Sequence, residues 1–474
     1  GFTLCLKSGV VKEVTGLAGI TCPEDAARML HPDEHTVRWP GFLWAHYAAL
    51  RIDIEGSPDT LLCFESKNRS EVIPLGDIQS KASTYTFGEQ GRMALALYQP
   101  RVAGEWSIKP DRVRCGERVH FEIRFRVGPG GIATGGGIRL FTPYSSWSAP
   151  EEFSGLLTVE SKEPVKMPLD LRAHAHSCFG WVYTLRVEEG ALREGDVVAL
   201  KYDSPPEGIR VQTFPKEAVS FPAFVDPSGE GILYPFPLEA SPSVEVIPGP
   251  AARCRLALPM TASAGKAFGA RGIMLDEHYN AAPEGVPPKA TLTAQRLDDD
   301  AREIVFSESA DIKDSRCEFT GMTLPQPGYY LMTLEAGDLK SARLVVRCDE
   351  KEERCLLWGA IHGHTCMSDG EFTPEEYFRY GRGTGLVDFC AVSDHDWELL
   401  EHERSRKLGG FPWVQRLAEE FDQPGRYVTF SAYEWMGTPK TGHVNVYYKN
   451  HRMDNPMYTG AVSILGSRAA DTLE

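Results

Sequence analysis

The sequence predicts a multidomain chain: an all-β N-terminal region of sandwich and immunoglobulin-like domains, followed by a partial α/β segment. Two observations carry this. Between residues 104 and 349, short apolar–polar alternations are separated by Gly and Pro clusters, the pattern of half-buried strands joined by turns. Between residues 355 and 448, short apolar runs alternate with helical stretches, the pattern of strand–helix–strand units.

Within the β region, residues 119–127 alternate strictly, and residues 128–131, 135–137 and 203–206 supply the breaks. A change in composition at Pro248, Gly249 and Pro250 marks a linker. Residues 104–247 therefore read as one β-sandwich domain. Residues 251–347 have the length and strand spacing of one immunoglobulin-like sandwich, with residues 325–334 among its late strands. Residues 1–103 mix short strands with an expected helix at residues 23–30, giving a mixed, mostly β region.

The α/β segment starts with residues 355–361, an apolar run read as a strand. Side chains two apart on a strand share a face, so His362 and His364 point the same way. Ser368, Asp369 and Gly370 form a turn that brings Asp369 back over the strand end. The alternative reading is a pair of exposed histidines on an edge strand. Thr373 is an N-cap, Pro374 suits the first turn, and Glu376 completes a capping box ahead of Tyr377, Phe378 and Tyr380. Gly381, Gly383 and Gly385 are expected to stop that helix. Residues 386–392 form a second buried strand, ending in Ser393, Asp394, His395 and Asp396, and the unit is expected to be a right-handed crossover. An amphipathic helix over residues 413–421 and a turn at Pro424 and Gly425 lead to a strand over residues 426–433, which ends at Glu434. Residues 442–448 alternate again after His443, which is either a ligand or a satisfied polar group at a strand start. Imidazoles and carboxylates gathered at strand ends outline a metal site.

These motifs are similar to those of the PHP (polymerase and histidinol phosphatase) superfamily of metal-dependent hydrolases, and most like its DUF3604-type proteins. The resemblance rests on H-G-H-T-x-x-S-D-G from His362, T-P-E-E-Y-F-R-Y from Thr373 and L-V-D-F-C-A-V-S-D-H-D from Leu386. It continues through E-F-D-Q-P-G-R-Y-V-T-F-S-A-Y-E-W from Glu420 and G-H-V-N-V-Y-Y from Gly442. It implies that residues 350–474 are the N-terminal part of a PHP-type (β/α) barrel, with two or three divalent transition metals (Zn, Mn or Fe) at the C-terminal strand ends. His362, His364 and Glu434 would belong to one metal. Glu434 would bridge to a second, also held by His443, and Asp369 and His395 would hold a third. Asp394 would orient an imidazole or take part in proton transfer, or else be a strand-end cap. The implied chemistry is attack on a phosphoester or related anionic ester by a metal-bound hydroxide. The resemblance extends loosely upstream, because similar β domains precede the metal domain in such proteins.

Two departures stand out. Ala360 occupies a position where a carboxylate is usual; its loss weakens the surroundings of the ligands, or marks an inactivated copy or an engineered change. The chain also starts at Gly1 and ends at Glu474, before the later histidine strand and final Asp-x-His of the family, with residues 467–474 reading as the start of a helix. On this resemblance each metal lacks one ligand, and a second chain or fragment is expected to complete the barrel. A homo-oligomer is the other arrangement.

A formal charge of −16 argues against a nucleic-acid partner and suits carboxylate-lined cation sites. No stretch has the length of a membrane-spanning helix. Eleven cysteines without C-x-x-C pairs favour free thiols in a reducing, cytoplasmic setting; Cys366 reads as filler within the metal loop. His174 and His176 form a second histidine pair with little acidic company. Trp106, Tyr144, Trp147, Trp181 and Tyr183 either line a sugar-binding face or fill a core. The leading expectation is a metal-dependent hydrolase of a small-molecule or glycan-type anionic substrate. The alternatives are a catalytically inactive PHP-like scaffold and a glycan-binding β-domain protein.

Overall fold

The computed structural model describes residues 2–18, 35–39, 49–66, 69–77, 83–87, 91–95, 104–143, 147–148, 157–173, 181–229, 233–236, 240–298, 302–351, 354–365, 367–368, 370, 372–396, 399, 410–437 and 442–452. They belong to two compact units, Gly1–Ile247 with Leu400–Gly410, and Pro248–Leu399 with Phe411–Glu474. Asp369, Cys366, Tyr144, the pair at residues 174–176, the expected helix at residues 23–30 and the expected helix start at residues 467–474 lie outside the described residues. No helix among the described residues is long and apolar enough to cross a membrane.

The first unit is built from mostly antiparallel sheets, with one parallel pair between Arg112–Arg114 and Ser243–Ile247. Near its start, Phe2–Leu6 pairs with Thr36–Trp39 and Leu61–Ser66. Further on, Phe121–Val127 lies between Gly104–Lys109 and Val197–Tyr202. Its side chains alternate between buried and outward positions, as the strict sequence alternation requires. A second sheet places Gly137–Phe141 between Trp181–Arg186 and Ala223–Asp226. Phe121, Ile123 and Phe125 from one sheet and Leu140, Tyr183 and Leu185 from the other share one core, which makes this a β-sandwich. Trp147 and Tyr183 are buried in that core, and Trp106 packs against it, 4.6 Å from Phe125 between ring centroids. These three aromatics fill the sandwich instead of forming a ligand-facing surface.

The second unit opens with another sandwich. Strands β1 (Arg253–Ala257), β2 (Thr261–Ser263), β3 (Phe268–Leu275), β4 (Lys289–Arg296), β5 (Ile304–Asp311), β6 (Arg316–Met322), β7 (Gly328–Glu335) and β8 (Ala342–Asp349) form two sheets. Their orders are β1-β3-β6 and β2-β8-β7-β4-β5. Met274 and Phe319 from the first sheet meet Leu292, Tyr330, Met332 and Leu334 from the second. The linker is fixed by Asp276, a buried carboxylate that accepts from Gly249 N at 2.9 Å as well as from His278 N and Asn280 N.

Four further strands carry the histidines. Strand β9 (Gly359–Ala360) runs parallel to β10 (Phe389–Val392), which runs parallel to β11 (Val428–Trp435). Strand β12 (Val444–Tyr447) returns antiparallel to β11. Helix α1 (Pro374–Tyr380) joins the first pair, with the Thr373–Glu376 capping box formed as the sequence requires. Helix α2 (Gly410–Phe421) places Phe411 against Tyr433 of β11 and Phe421 against Phe378 of α1.

Two local expectations change. The strand expected over residues 355–361 pairs only at Gly359 and Ala360. Before it, Asp388 holds Trp358 from both sides, its carboxylate accepting from Trp358 N at 2.8 Å and its N–H donating to Trp358 O at 2.7 Å. The α-helical geometry of α1 ends at Tyr380 with Gly381 as C-cap, but the three glycines do not end the helical winding. The chain continues as a π-helical turn over Gly381–Gly385 and ends at Leu386, whose φ is +54°. Glycines tolerate the wider turn, and arginines of the sandwich take its carbonyls: Arg255 reaches Thr384 O at 3.1 Å and Arg316 reaches Gly383 O at 3.4 Å. Leu386 itself packs with Ile273 and Leu275 of β3.

Candidate metal centre

The parallel pairing decides which side chains meet. Register from Phe389↔Val428 to Val392↔Ser431 continues past the strand ends to a bridge between His395 and Glu434. Glu434 N donates to Asp394 O at 2.9 Å. On the other side, Gly363 O accepts from Ser393 N at 2.9 Å, which sets the loop after β9 against the end of β10. His362, His364, His395 and Glu434 thereby converge at one end of the sheet.

Glu434 is the hub, its side chain only 6% exposed. Its Oε2 lies 2.8 Å from His364 Nε2, 3.1 Å from His395 Nδ1 and 3.6 Å from His362 Nε2, and its Oε1 lies 3.0 Å from His443 Nδ1. Two ligand-type groups result, His362–His364–Glu434 and His395–Glu434–His443, each with its ligand atoms within 4.8 Å of one another. Metal–ligand bonds of about 2.0–2.2 Å put neighbouring ligands of one ion roughly 3–3.6 Å apart, so the donors fit a pair of ions that share Glu434. Imidazole and carboxylate suit Zn, Mn or Fe. A buried carboxylate ringed by imidazoles is also the kind of group that a cation stabilises.

His395 lies with Glu434 and His443, because the parallel bridge sets it beside Glu434 on the adjacent strand; Asp369, with which the resemblance groups it, lies outside the described residues.

Asp394 is fully buried, and its carboxylate serves the histidine loop. Oδ1 accepts from Thr365 N at 2.6 Å and from Ser368 Oγ at 2.5 Å; Oδ2 accepts from Thr365 Oγ1 at 2.6 Å. Burial pushes its pKa up, while these hydrogen bonds and the neighbouring His364 pull the other way. Asp394 thus ties down the residues just after His364. Ala360 sits in the short strand β9, paired with Cys390.

Two glycines shape the loop. A Cβ on Gly363 would run into the Tyr377 hydroxyl, and one on Gly370 would meet His364 O. Tyr377 of α1 therefore packs directly beneath the His362–His364 segment. Asn445 and Tyr447 went unassigned in the sequence. The alternation over residues 442–448 carried the signal, since it aligns both with His443 on one face.

No family model and no curated protein matches the chain. Among solved structures, it is similar to the Yersinia pseudotuberculosis adhesin InvE at 11% identity, with a TM-score of 0.18, covering 52% of this chain and 58% of that one. It is also similar to a cohesin module from a Clostridium perfringens family 33 glycoside hydrolase, at 14% identity and a TM-score of 0.20, covering 31% and 99%. A superoxide reductase from Ignicoccus hospitalis is 12% identical, with a TM-score of 0.17, covering 21% and 83%. The chain thus spans under two thirds of the adhesin's length. Similarity this low establishes no shared fold or activity.

Proposed function

We propose that the chain is a metal-dependent hydrolase of phosphoesters or related anionic esters, related to the PHP superfamily. The four-stranded sheet would be the opening part of a PHP-type (β/α) barrel. The observation that carries this reading is Glu434, a buried carboxylate with four imidazole nitrogens within 3.6 Å of its oxygens. His362 and His364 would hold one divalent ion and His395 and His443 a second, with Glu434 bridging. Bound there, such ions supply an activated water and neutralise charge on a phosphoryl or similar oxygen. The protein's own work is orientation. Asp394 fixes the Thr365–Ser368 loop that aims His364, and the β10–β11 register places His395 and Glu434 side by side. His362 and His443, about half-exposed, stand at the open side where a small anionic substrate would approach.

The test is hydrolysis of p-nitrophenyl phosphate and bis(p-nitrophenyl) phosphate by the native protein, with any co-purifying chain retained, in Zn²⁺ or Mn²⁺. The expected result is metal-dependent turnover that falls at least roughly 100-fold in Glu434→Gln, which removes the bridging charge. Metal-loaded wild type with no turnover above background on either ester, or an unaffected Glu434→Gln, would overturn the reading.

A further inference from the structure

Strand β12 brings more than His443 to the centre. Directly opposed residues of an antiparallel pair share a face, and here Glu434 faces Asn445 while Ala432 faces Tyr447. His443, Asn445 and Tyr447 therefore form a row along the face that carries Glu434. At one end of the row, His443 Nδ1 lies 3.0 Å from Glu434 Oε1. At the other, the Tyr447 hydroxyl donates to Ile361 O at 2.7 Å, beside His362.

Between these two contacts lies the Asn445 amide, directly opposite Glu434. The Tyr447 hydroxyl gives its one proton to Ile361 O, so it has none for Asn445. Asn445 Oδ1 is buried, and no described residue donates a hydrogen bond to it. A buried amide oxygen without a partner costs about 1–3 kcal/mol, and a neighbouring carboxylate adds repulsion. A cation relieves both.

We propose that Asn445 Oδ1 is a further ligand of the ion held by His395, Glu434 and His443. This rests on the reading of the centre as a metal site, and it gives that ion a neutral oxygen donor. Added oxygen ligation favours Mn²⁺ or Fe²⁺ relative to a purely imidazole-rich set, so the two ions are chemically unequal.

The test is calorimetric titration of the chelator-stripped full chain with Mn²⁺. Wild type is expected to show two binding events. In Asn445→Leu, similar in size but without the oxygen, one event should be unchanged and the other roughly 10–100-fold weaker. Asn445→Asp, which restores an oxygen at the same place, should recover it. Wild-type affinity at both sites in Asn445→Leu would overturn the assignment alone, as would equal weakening in both variants, which would mark a purely structural role. Absence of any Mn²⁺ uptake by wild type would overturn the metal reading itself, and this assignment with it.

Discussion

Glu434 and Asp394 are neighbours with opposite tasks. Glu434 faces four imidazoles, whereas Asp394 spends both oxygens on Thr365 and Ser368. Asp394→Asn keeps the volume but has a single acceptor oxygen for three donors. Leaving buried donors unmet costs about 1–3 kcal/mol, so thermal unfolding should show a lower melting temperature. Metal affinity should fall roughly 10–100-fold, as expected when support behind a ligand is lost; calorimetry on the same variant checks this. Cysteine chemistry gives a second prediction. Cys390 is buried, near the hydroxyls of Tyr377 and Tyr427, and burial pushes its thiol up to about 11. Cys355 is exposed. The thiolate is the reactive form, so iodoacetamide at pH 8 should label Cys355 in the native protein and leave Cys390 unmodified, as read by peptide mass spectrometry. Labelling of Cys390 ahead of Cys355 would contradict the packing described around α1.

At the scale of elements, the alternation in residues 119–127, the capping box at Thr373 and the i, i+2 spacing of His362 and His364 were all legible in the sequence. Each is a local pattern enforced by backbone geometry. What the sequence hid was contact across strands. The register that sets His395 beside Glu434, and Asn445 opposite it, depends on which strands pair and where, and no local pattern specifies that. The π-helical turn over Gly381–Gly385 was hidden for the same reason, since its carbonyls are held by Arg255 and Arg316 from a distant part of the chain. Arg255→Ala should therefore destabilise the second unit. Hydrogen bonds from a charged donor contribute about 1.5–3 kcal/mol, partly offset here by solvent access, and the lost contact with the Tyr279 ring adds to it. Hydrogen exchange should show faster opening of α1 and the turn, with the sandwich strands β4 and β7 unchanged. Uniform loosening of both would mean that the arginine supports the sandwich and not the turn.

At the scale of the whole molecule, the first unit is a β structure whose core holds Phe121, Phe125, Trp147, Tyr183 and Tyr202, and among the described residues the clustered metal-ligand side chains lie in the second. There, one sandwich and the four-stranded sheet belong to a single compact unit. Ions that bind only the folded form stabilise it by mass action, about 2.7 kcal/mol at a hundredfold excess over Kd. Chelation should therefore lower the melting temperature, and acidification should weaken metal uptake because imidazole ligates only when neutral. The central claim is that Glu434 organises two metal sites, and it is tested most directly by elemental analysis of the native protein beside Glu434→Gln, both after equilibration with Zn²⁺ or Mn²⁺. The account predicts two ions per chain in wild type among the described ligands, and one or none in the variant. Fewer than one ion per chain in wild type, or an unchanged count in Glu434→Gln, would contradict it.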